Sequence, residues 1–338
     1  MGAKTSDAPL EVFSTCPPSV GVVDHESYLR QVVDVARWSE RQGCKGILLY
    51  SDNSQLDAWV LSHVILQRTW ALCPLVAVQP IYMHPYTVAK TLTSIGSLFG
   101  RRVYLNMVAG GFKNDLIALD DTTPHDRRYA RLEEYVRIVT QLLEGATVTF
   151  EGEFYRVDKL KLTPPLAPDL FPGLFVSGSS DAGAATARNI GATAIKYPKP
   201  ASEEDAGSGV TDCGIRVGII ARQTEREAWD VAHARFPEDR RGQLTRQLAS
   251  KVSDSVWHKQ LSGPSAPPEG EPSPYWLVPF QNYKTMCPYL VGSYEQVAEE
   301  LARYITAGYH TVILDVPPSE DELRHTFAAF AAAMEPVR

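Results

Sequence analysis

A serine-rich turn is the most informative motif of the chain. The residues Ser177-Gly178-Ser179-Ser180-Asp181 follow an apolar run and precede a helical pattern. Free backbone N–H groups at a helix start lie at the positive end of the helix dipole, and together with serine hydroxyls they suit a phosphate group. Serine and aspartate are also common N-caps, so a plain helix cap is the alternative interpretation. The alternation of strands and helices along the chain predicts a barrel, and the turn lies in its second half, where such barrels often hold phosphate groups. This position favours phosphate binding.

Strong acids and bases are scarce at the other positions where a site is expected. The polar residues that end apolar runs include Ser51-Asp52-Asn53, Lys196-Tyr197 and Asp315. These strand ends contain no carboxylate pair with glycosidase-like placement, no His-x-His or His-x-x-x-His spacing for a metal, and no Ser-His-Asp arrangement. We therefore expect no metal site, and we expect a bound cofactor to supply the reactivity.

Apolar runs alternate with helical patterns along the chain, and continuous apolar runs are typical of parallel strands buried on both faces. The predicted strands are 10–14, 46–50, 75–78, 103–107, 174–177, 192–196, 214–221 and 311–314. This number of strand–helix repeats predicts an α/β fold of the (β/α)₈ TIM-barrel type rather than an open sheet. No Gly-x-Gly-x-x-Gly follows the first strand, which removes the main support for a dinucleotide-binding doubly wound fold.

Two segments interrupt the alternation. Residues 147–163 alternate around a short turn and predict a β-hairpin excursion. Residues 236–290 predict an insertion whose central part, 262–274, is rich in proline, glycine and serine. We predict that this insertion acts as a mobile lid over the barrel mouth, and that residues 1–338 form a single domain.

Composition excludes several classes of function. The 338 residues carry 40 acidic and 33 basic side chains, a net charge of −7, so the chain lacks the basic surface that nucleic-acid binding needs. No run approaches the roughly 18 apolar residues of a membrane span, and the N-terminus has no secretory pattern, so we expect a cytoplasmic enzyme. The odd number of cysteines, 5, and their wide spacing argue against a disulfide framework.

Four motifs together resemble the bacterial luciferase-like flavin monooxygenases, with the alkanesulfonate monooxygenases as the most similar branch. The motifs are LNMVAGG at 105–111, HDRRYARLEEYVRIVTQLLEG at 125–145, FEGEFYRV at 150–157 and LFVSGSSDAGAATARNIGA at 174–192. The similarity spans residues 10 to 320 or so and keeps the motifs in the family's order. It implies a TIM-barrel enzyme that uses reduced FMN (FMNH₂) and O₂.

The resemblance also implies which residues hold the flavin. Beside the isoalloxazine ring it places Asn106, Val108 and Ala109. Around the FMN phosphate it places His125, Tyr129, Gly178, Ser179 and Ser180. The serine-rich turn singled out from its own residues coincides with the last three of these.

Departures from the sulfonate enzymes concern the substrate side. Arg216 is retained, whereas Gln55 stands in place of a cysteine and Tyr197 in place of a tryptophan; we assign these three residues to catalysis. A histidine of the sulfonate enzymes is replaced by Gly218, and their terminal tyrosine and histidine by Val316 and Pro318. Desulfonation of a simple alkanesulfonate is therefore not expected.

Residues of the insertion complete the expected substrate site. We assign substrate binding to Trp276, Tyr283 and Lys284, because an aromatic and cationic group following the flexible segment could cover the flavin. Arg216 and Lys284 could also hold an anionic group of the substrate.

The resemblance predicts a two-component monooxygenase in which a C4a-peroxyflavin oxidises a small organic substrate. A separate NAD(P)H-dependent reductase would deliver the flavin, and the barrels would associate as a dimer or tetramer. Two alternatives stay open: an F420-dependent hydride-transfer oxidoreductase on the same barrel, and a non-catalytic flavin-binding subunit.

Overall fold

Eight parallel strands close into a barrel with helices around it in the computed structural model of the protein, which describes residues 9–110, 113–178, 180–204, 213–237, 273–282 and 284–335. The barrel order is β1-β2-β3-β4-β7-β8-β9-β12, and β12 pairs with β1 to close the ring. The predicted TIM barrel is confirmed. No helix in these ranges combines the length and the apolar character that crossing a membrane requires.

The strands alternate with the helices as the apolar runs predict. The strands are β1 (Glu11–Thr15), β2 (Gly46–Leu49), β3 (Cys73–Val78), β4 (Tyr104–Met107), β5 (Thr147–Glu151), β6 (Arg156–Lys161), β7 (Leu174–Ser177), β8 (Thr193–Lys196), β9 (Cys213–Arg222), β10 (Tyr275–Trp276), β11 (Tyr289–Ser293) and β12 (Tyr309–Leu314). The helices are α1 (His25–Arg41), α2 (Ala58–Arg68), α3 (Pro85–Phe99), α4 (Lys113–Ala118), α5 (His125–Leu143), α6 (Asp181–Asn189), α7 (Glu225–Arg235), α8 (Val278–Gln281), α9 (Tyr294–Thr306) and α10 (Glu320–Met334).

Aromatic side chains fill the lower part of the barrel. The ring of Phe13 meets those of Tyr104 and Phe175 edge-on, with centroids 5.1 and 5.3 Å apart. Gly46 makes this packing possible, because a Cβ there would lie 2.3 Å from the Cys73 carbonyl oxygen and 2.8 Å from the Phe13 ring. The barrel is thus packed below its mouth, which leaves the carboxyl ends of the strands as the place for a site.

Local groups fix where two of the helices begin. Helix α2 begins at Ala58, because the Asp57 side chain accepts hydrogen bonds from the N–H groups of Trp59 and Val60. Helix α5 begins at His125, directly after Pro124. The short helix α4 was not expected from the sequence.

Two additions lie outside the ring. Strands β5 and β6 pair antiparallel, and the Glu134 carboxylate of α5 accepts hydrogen bonds from three N–H groups of their turn. Strand β9 runs beyond the rim, and its residues from Gly218 onward pair in parallel with β11, which β10 joins. Most of the predicted lid, residues 238–272, lies outside the described residues, so the lid stays a prediction.

A partly buried ion-pair network ties this extension to the last helix. The Glu322 carboxylate of α10 contacts the guanidinium groups of Arg222 at the end of β9 and of Arg235 on α7, and its side chain is 13% exposed. Burial alone would raise the pKa of Glu322, but the hydrogen bonds and charges of Arg235 and Arg222 outweigh it and lower that pKa. Glu322 therefore stabilises the fold in its ionised form.

We predict that Glu322→Gln lowers the free energy of unfolding by about 3 kcal/mol at pH 7, because it leaves two largely desolvated cations, Arg222 and Arg235, without a carboxylate. Glu320→Gln is the matched control: Glu320 pairs with Arg41 on the surface, and its loss should be far smaller. Because the pKa of Glu322 is lowered from 4.5, the advantage of the wild type should be complete above pH 4.5 and disappear as the pH falls below it. Urea unfolding at several pH values measures this, and equal losses in both variants would contradict it.

Candidate active site

The carboxyl ends of the barrel strands carry two groups of polar side chains. The first, which we call the cradle, comprises Tyr129, Gly178, Ser180 and Gly183. The second, the Arg216 cluster, comprises Tyr50, Tyr197, Arg216, Cys287, Tyr289 and Asp315. Parallel strands bring both groups to the same rim of the barrel.

The cradle forms where β7 leads into α6. The Ser180 hydroxyl accepts a hydrogen bond from the Gly183 N–H at 3.1 Å and donates one to the Tyr129 hydroxyl at 3.4 Å. A Cβ at Gly178 would lie 2.7 Å from the Tyr129 hydroxyl oxygen, and one at Gly183 would lie 3.1 Å from it. The two glycines therefore leave the space that the tyrosine hydroxyl occupies.

A second helix start adjoins the cradle. Helix α5 begins after Pro124 without a side-chain cap, so its first N–H groups are not satisfied by a capping side chain. The His125 ring lies 5.3 Å from the Tyr129 ring, and its Nδ1 is 2.8 Å from an Asp126 carboxylate oxygen. A tyrosine hydroxyl, a serine hydroxyl and two helix starts make a set of donors that fits a phosphate. Ser179 lies outside the described residues.

One hydrogen bond joins the end of β4 to Ser177, the residue before Gly178 of the cradle. The Ser177 hydroxyl donates to the side-chain oxygen of Asn106 at 2.7 Å, and Asn106 is 5% exposed. The next residues stay close to the sheet, since the Val108 N–H donates to the Val78 carbonyl at 2.9 Å and Ala109 is buried. The Ser177–Asn106 hydrogen bond thus links the end of β4, near the predicted flavin residues, to the end of β7.

The Arg216 cluster is built across the barrel. Arg216 donates a hydrogen bond from Nη2 to the Tyr50 hydroxyl, and its guanidinium carbon lies 5.1 Å from the centre of the Tyr50 ring. Tyr50 follows β2 while Arg216 is on β9, and β12 and β1 separate these strands in the ring. The contact therefore spans the mouth of the barrel. Arg216 also hydrogen-bonds Tyr197 at the end of β8.

Burial fixes the protonation of these groups. Desolvation lowers the pKa of Arg216, but Tyr50, Tyr197 and Cys287 more than offset it and hold that pKa well above its usual value. Desolvation raises the pKa values of Tyr50, Tyr197 and Cys287. At neutral pH the cluster therefore contains a charged guanidinium beside uncharged phenols and an uncharged thiol.

The ring of Tyr289 fills the space that a side chain at position 218 would occupy. A Cβ at Gly218 would lie 2.3 Å from the Tyr289 ring, and the Tyr289 hydroxyl donates to an Asp315 carboxylate oxygen at 2.8 Å. The sequence did not single out Tyr289 or Tyr50. Tyr50 could have been found as the last residue of an apolar run, since the carboxyl end of a barrel strand is a site position.

Other predicted site residues have different surroundings. Gln55 bridges two loops, because its side-chain oxygen accepts hydrogen bonds from the Ser19 N–H at 2.7 Å and the Ser19 hydroxyl at 3.1 Å. Trp276 packs edge-on against Trp229 of α7, with ring centroids 5.4 Å apart. Lys284 is exposed, and Tyr283 lies outside the described residues. The catalytic and substrate-binding roles assigned to these residues stay predictions.

Comparison with known proteins identifies relatives of the whole barrel. The family model described as luciferase-like monooxygenase matches residues 10–311. The chain is 36% identical over 311 residues, 89% of its length and 90% of the relative's, to the 4-(γ-L-glutamylamino)butanoyl-[BtrI acyl-carrier protein] monooxygenase BtrO of Niallia circulans.

Solved structures share the fold at low sequence identity. The EDTA monooxygenase EmoA of Chelativorans sp. BNC1 superposes with a TM-score of 0.72 at 16% identity, over 97% of this chain and 95% of that one. An F420-dependent secondary alcohol dehydrogenase gives a TM-score of 0.67 at 16% identity, over 97% and 100% of the two chains. The match to the family model and the identity to BtrO decide the relationship: the chain belongs to the luciferase-like monooxygenase family and is a flavin-dependent monooxygenase.

Proposed function

We propose that the protein is the oxygenating component of a two-component monooxygenase that uses reduced FMN and O₂ to oxidise an acyl compound. The observation that carries the choice of FMN is the cradle. Its hydroxyls, the two glycines that make room for Tyr129, and the two adjoining helix starts suit a terminal phosphate with two negative charges.

Within this proposal the residues of β4 and β7 hold the flavin. Asn106, Val108 and Ala109 would contact its ring system, while His125, Tyr129, Gly178 and Ser180 would contact its phosphate, joined by Ser179. When bound, reduced FMN reacts with O₂ and supplies one oxygen atom to the substrate. The protein's part is to position the substrate beside the ring and to keep water away from it.

The Arg216 cluster is the proposed substrate side of the site. Its charged guanidinium and its tyrosine hydroxyls are hydrogen-bond donors, which suit a substrate that carries an oxygen acceptor. BtrO, the 36% identical relative, is named as a monooxygenase of an acyl group carried on an acyl-carrier protein. An acyl substrate agrees with both observations. A simple alkanesulfonate does not, because the ring of Tyr289 lies where the histidine of the sulfonate enzymes would begin.

A separate NAD(P)H-dependent reductase is part of the proposal, as are assembly into a dimer or tetramer and a cytoplasmic location. The reductase is required because the chain contains no Gly-x-Gly-x-x-Gly fingerprint for a nicotinamide dinucleotide.

The assignment of the phosphate is tested by removing one hydroxyl. We predict that Tyr129→Phe raises the Kd for FMN about tenfold, because one hydrogen bond to the phosphate is lost while the ring is kept. Tyr135→Phe is the matched control: Tyr135 is on the same helix, and its buried hydroxyl has no partner in the described part of the chain. Quenching of flavin fluorescence measures both. An unchanged Kd in Tyr129→Phe would refute the assignment.

The same titration separates the two cofactors. Reduced FMN, followed anaerobically, should bind the wild type tightly, and F420 should bind at least tenfold more weakly. Tight binding of F420 without affinity for reduced FMN would replace the monooxygenase reaction by hydride transfer.

The two-component character has its own test. We predict that the purified chain with FMN does not oxidise NADPH by itself, and that oxygen-dependent product formation begins when a flavin reductase is added. The reductase alone, with FMN and NADPH, is the control that gives the uncoupled background. Oxidation of NADPH by the chain alone would show that the reductase is not required. Absence of product across acyl substrates, with flavin bound, would favour the non-catalytic subunit.

A further inference from the structure

We propose that Tyr50 and Arg216 form a pair of hydrogen-bond donors for the carbonyl oxygen of the acyl substrate, and that Tyr50 is the residue that selects for this oxygen. The proposal rests on the proposed function and adds the recognition chemistry of its substrate. After Tyr50 and Arg216 have bonded to each other, each keeps a hydrogen-bond donor that has no acceptor among the described residues.

The phenolic proton of Tyr50 has no acceptor among the described residues. The hydroxyl oxygen accepts a hydrogen bond from Arg216 Nη2, and this is the one hydrogen bond that the described part of the structure gives to Tyr50. A phenol that accepts from a cation becomes a stronger donor through its own proton. The Tyr50 pKa is raised, mainly by burial, so this proton stays on the oxygen and is available for donation.

Arg216 contributes a second donor. Its Nε is buried and has no hydrogen-bond partner within the described ranges, although Nη2 is bonded to Tyr50 and the guanidinium also bonds Tyr197. A buried N–H without a partner costs free energy, so a ligand that supplies an acceptor recovers it. The stacking of the guanidinium on the Tyr50 ring, at 5.1 Å, holds the two donors in a fixed relation.

Access to these donors comes from the barrel mouth. Tyr50, Tyr197 and Asp315 keep part of their surface exposed, although Arg216 between them is only 7% exposed. Because the Tyr50–Arg216 contact crosses the mouth, a group that enters along the barrel axis meets both side chains.

The charge of the cluster favours a neutral acceptor over a carboxylate. Arg216 carries one positive charge, and the Asp315 carboxylate lies within electrostatic range of it. The remaining members, Tyr50, Tyr197, Tyr289 and Cys287, are neutral. With the two charges balanced, an anionic ligand would gain little, whereas the oxygen of a thioester can accept both free N–H and O–H groups.

The experiment compares two probes that differ in that oxygen. S-butanoyl-pantetheine is a thioester, and S-butyl-pantetheine is the corresponding thioether without the carbonyl oxygen. Calorimetric titration into the protein saturated with oxidised FMN should show that the wild type binds the thioester about tenfold more tightly than the thioether. Tyr50→Phe keeps the stacked ring and should reduce this ratio to about twofold, with the thioether Kd and the FMN Kd unchanged. Tyr135→Phe is the control for loss of a hydroxyl elsewhere and should keep the wild-type ratio.

Each other result overturns the proposal. Equal binding of the two probes by the wild type would mean that water satisfies the Tyr50 proton. An equal loss for both probes in Tyr50→Phe would mean that Tyr50 only packs. Tighter binding of butanoate than of the thioester would assign the donors to an anion, and no binding of either probe would exclude an acyl group at this position. The proposed function is judged separately, because it depends on FMN binding and on reductase-dependent oxygen uptake, which these titrations do not measure.

Discussion

A guanidinium buried in the mouth of a closed barrel is the interaction on which the arrangement of this site depends. Removing such a charge from water is costly unless neighbouring groups hydrogen-bond it. Arg216 meets this requirement with the hydroxyls of Tyr50 and Tyr197, which come from different strands. Closure of the ring is what brings them together, since β2 and β9 are not neighbours in the sheet. The closed ring therefore allows a buried charged side chain to form hydrogen bonds with residues that follow other strands.

The cradle depends instead on two glycines, whose missing side chains leave room for a hydroxyl group. At Gly178 and Gly183 a Cβ would press on the Tyr129 hydroxyl, so the hydroxyl reaches the start of α6 only because both positions lack one. Ser180 then satisfies an N–H of its own helix while it still contacts Tyr129. Among the described residues, no other N–H group of the first turn is seen to donate to a side chain. The same motif thus caps its helix with one serine hydroxyl and keeps groups that the proposed phosphate site would use, so the two interpretations of the sequence are compatible.

The sequence was sufficient to predict the barrel, whereas the roles assigned to its site residues stay predictions. Strands buried on both faces must be apolar throughout, so runs such as that of β3 were recognisable without any partner strand. The serine-rich turn could be singled out because a helix cap is built from neighbouring residues. Tyr50 could also have been singled out as the last residue of an apolar run, but its contact with Arg216 could not, because the two residues meet only when the ring closes. Tyr289 is the first residue of β11 and gave no such signal. Helix α4 was missed for a related reason: six residues are too few for a helical period to emerge.

The ring of Tyr289 fills the space beside Gly218 on β9. The resemblance to the sulfonate enzymes implies a histidine at position 218. Here Gly218 leaves that volume to the ring of Tyr289 from β11, with which it would otherwise collide. The ring does more than fill space, because its hydroxyl fixes the Asp315 carboxylate at 2.8 Å. A carboxylate held near Arg216 opposes a second anion there, so under the proposed function the glycine at position 218 would affect both the shape of the site and the charge of the substrate group that fits it.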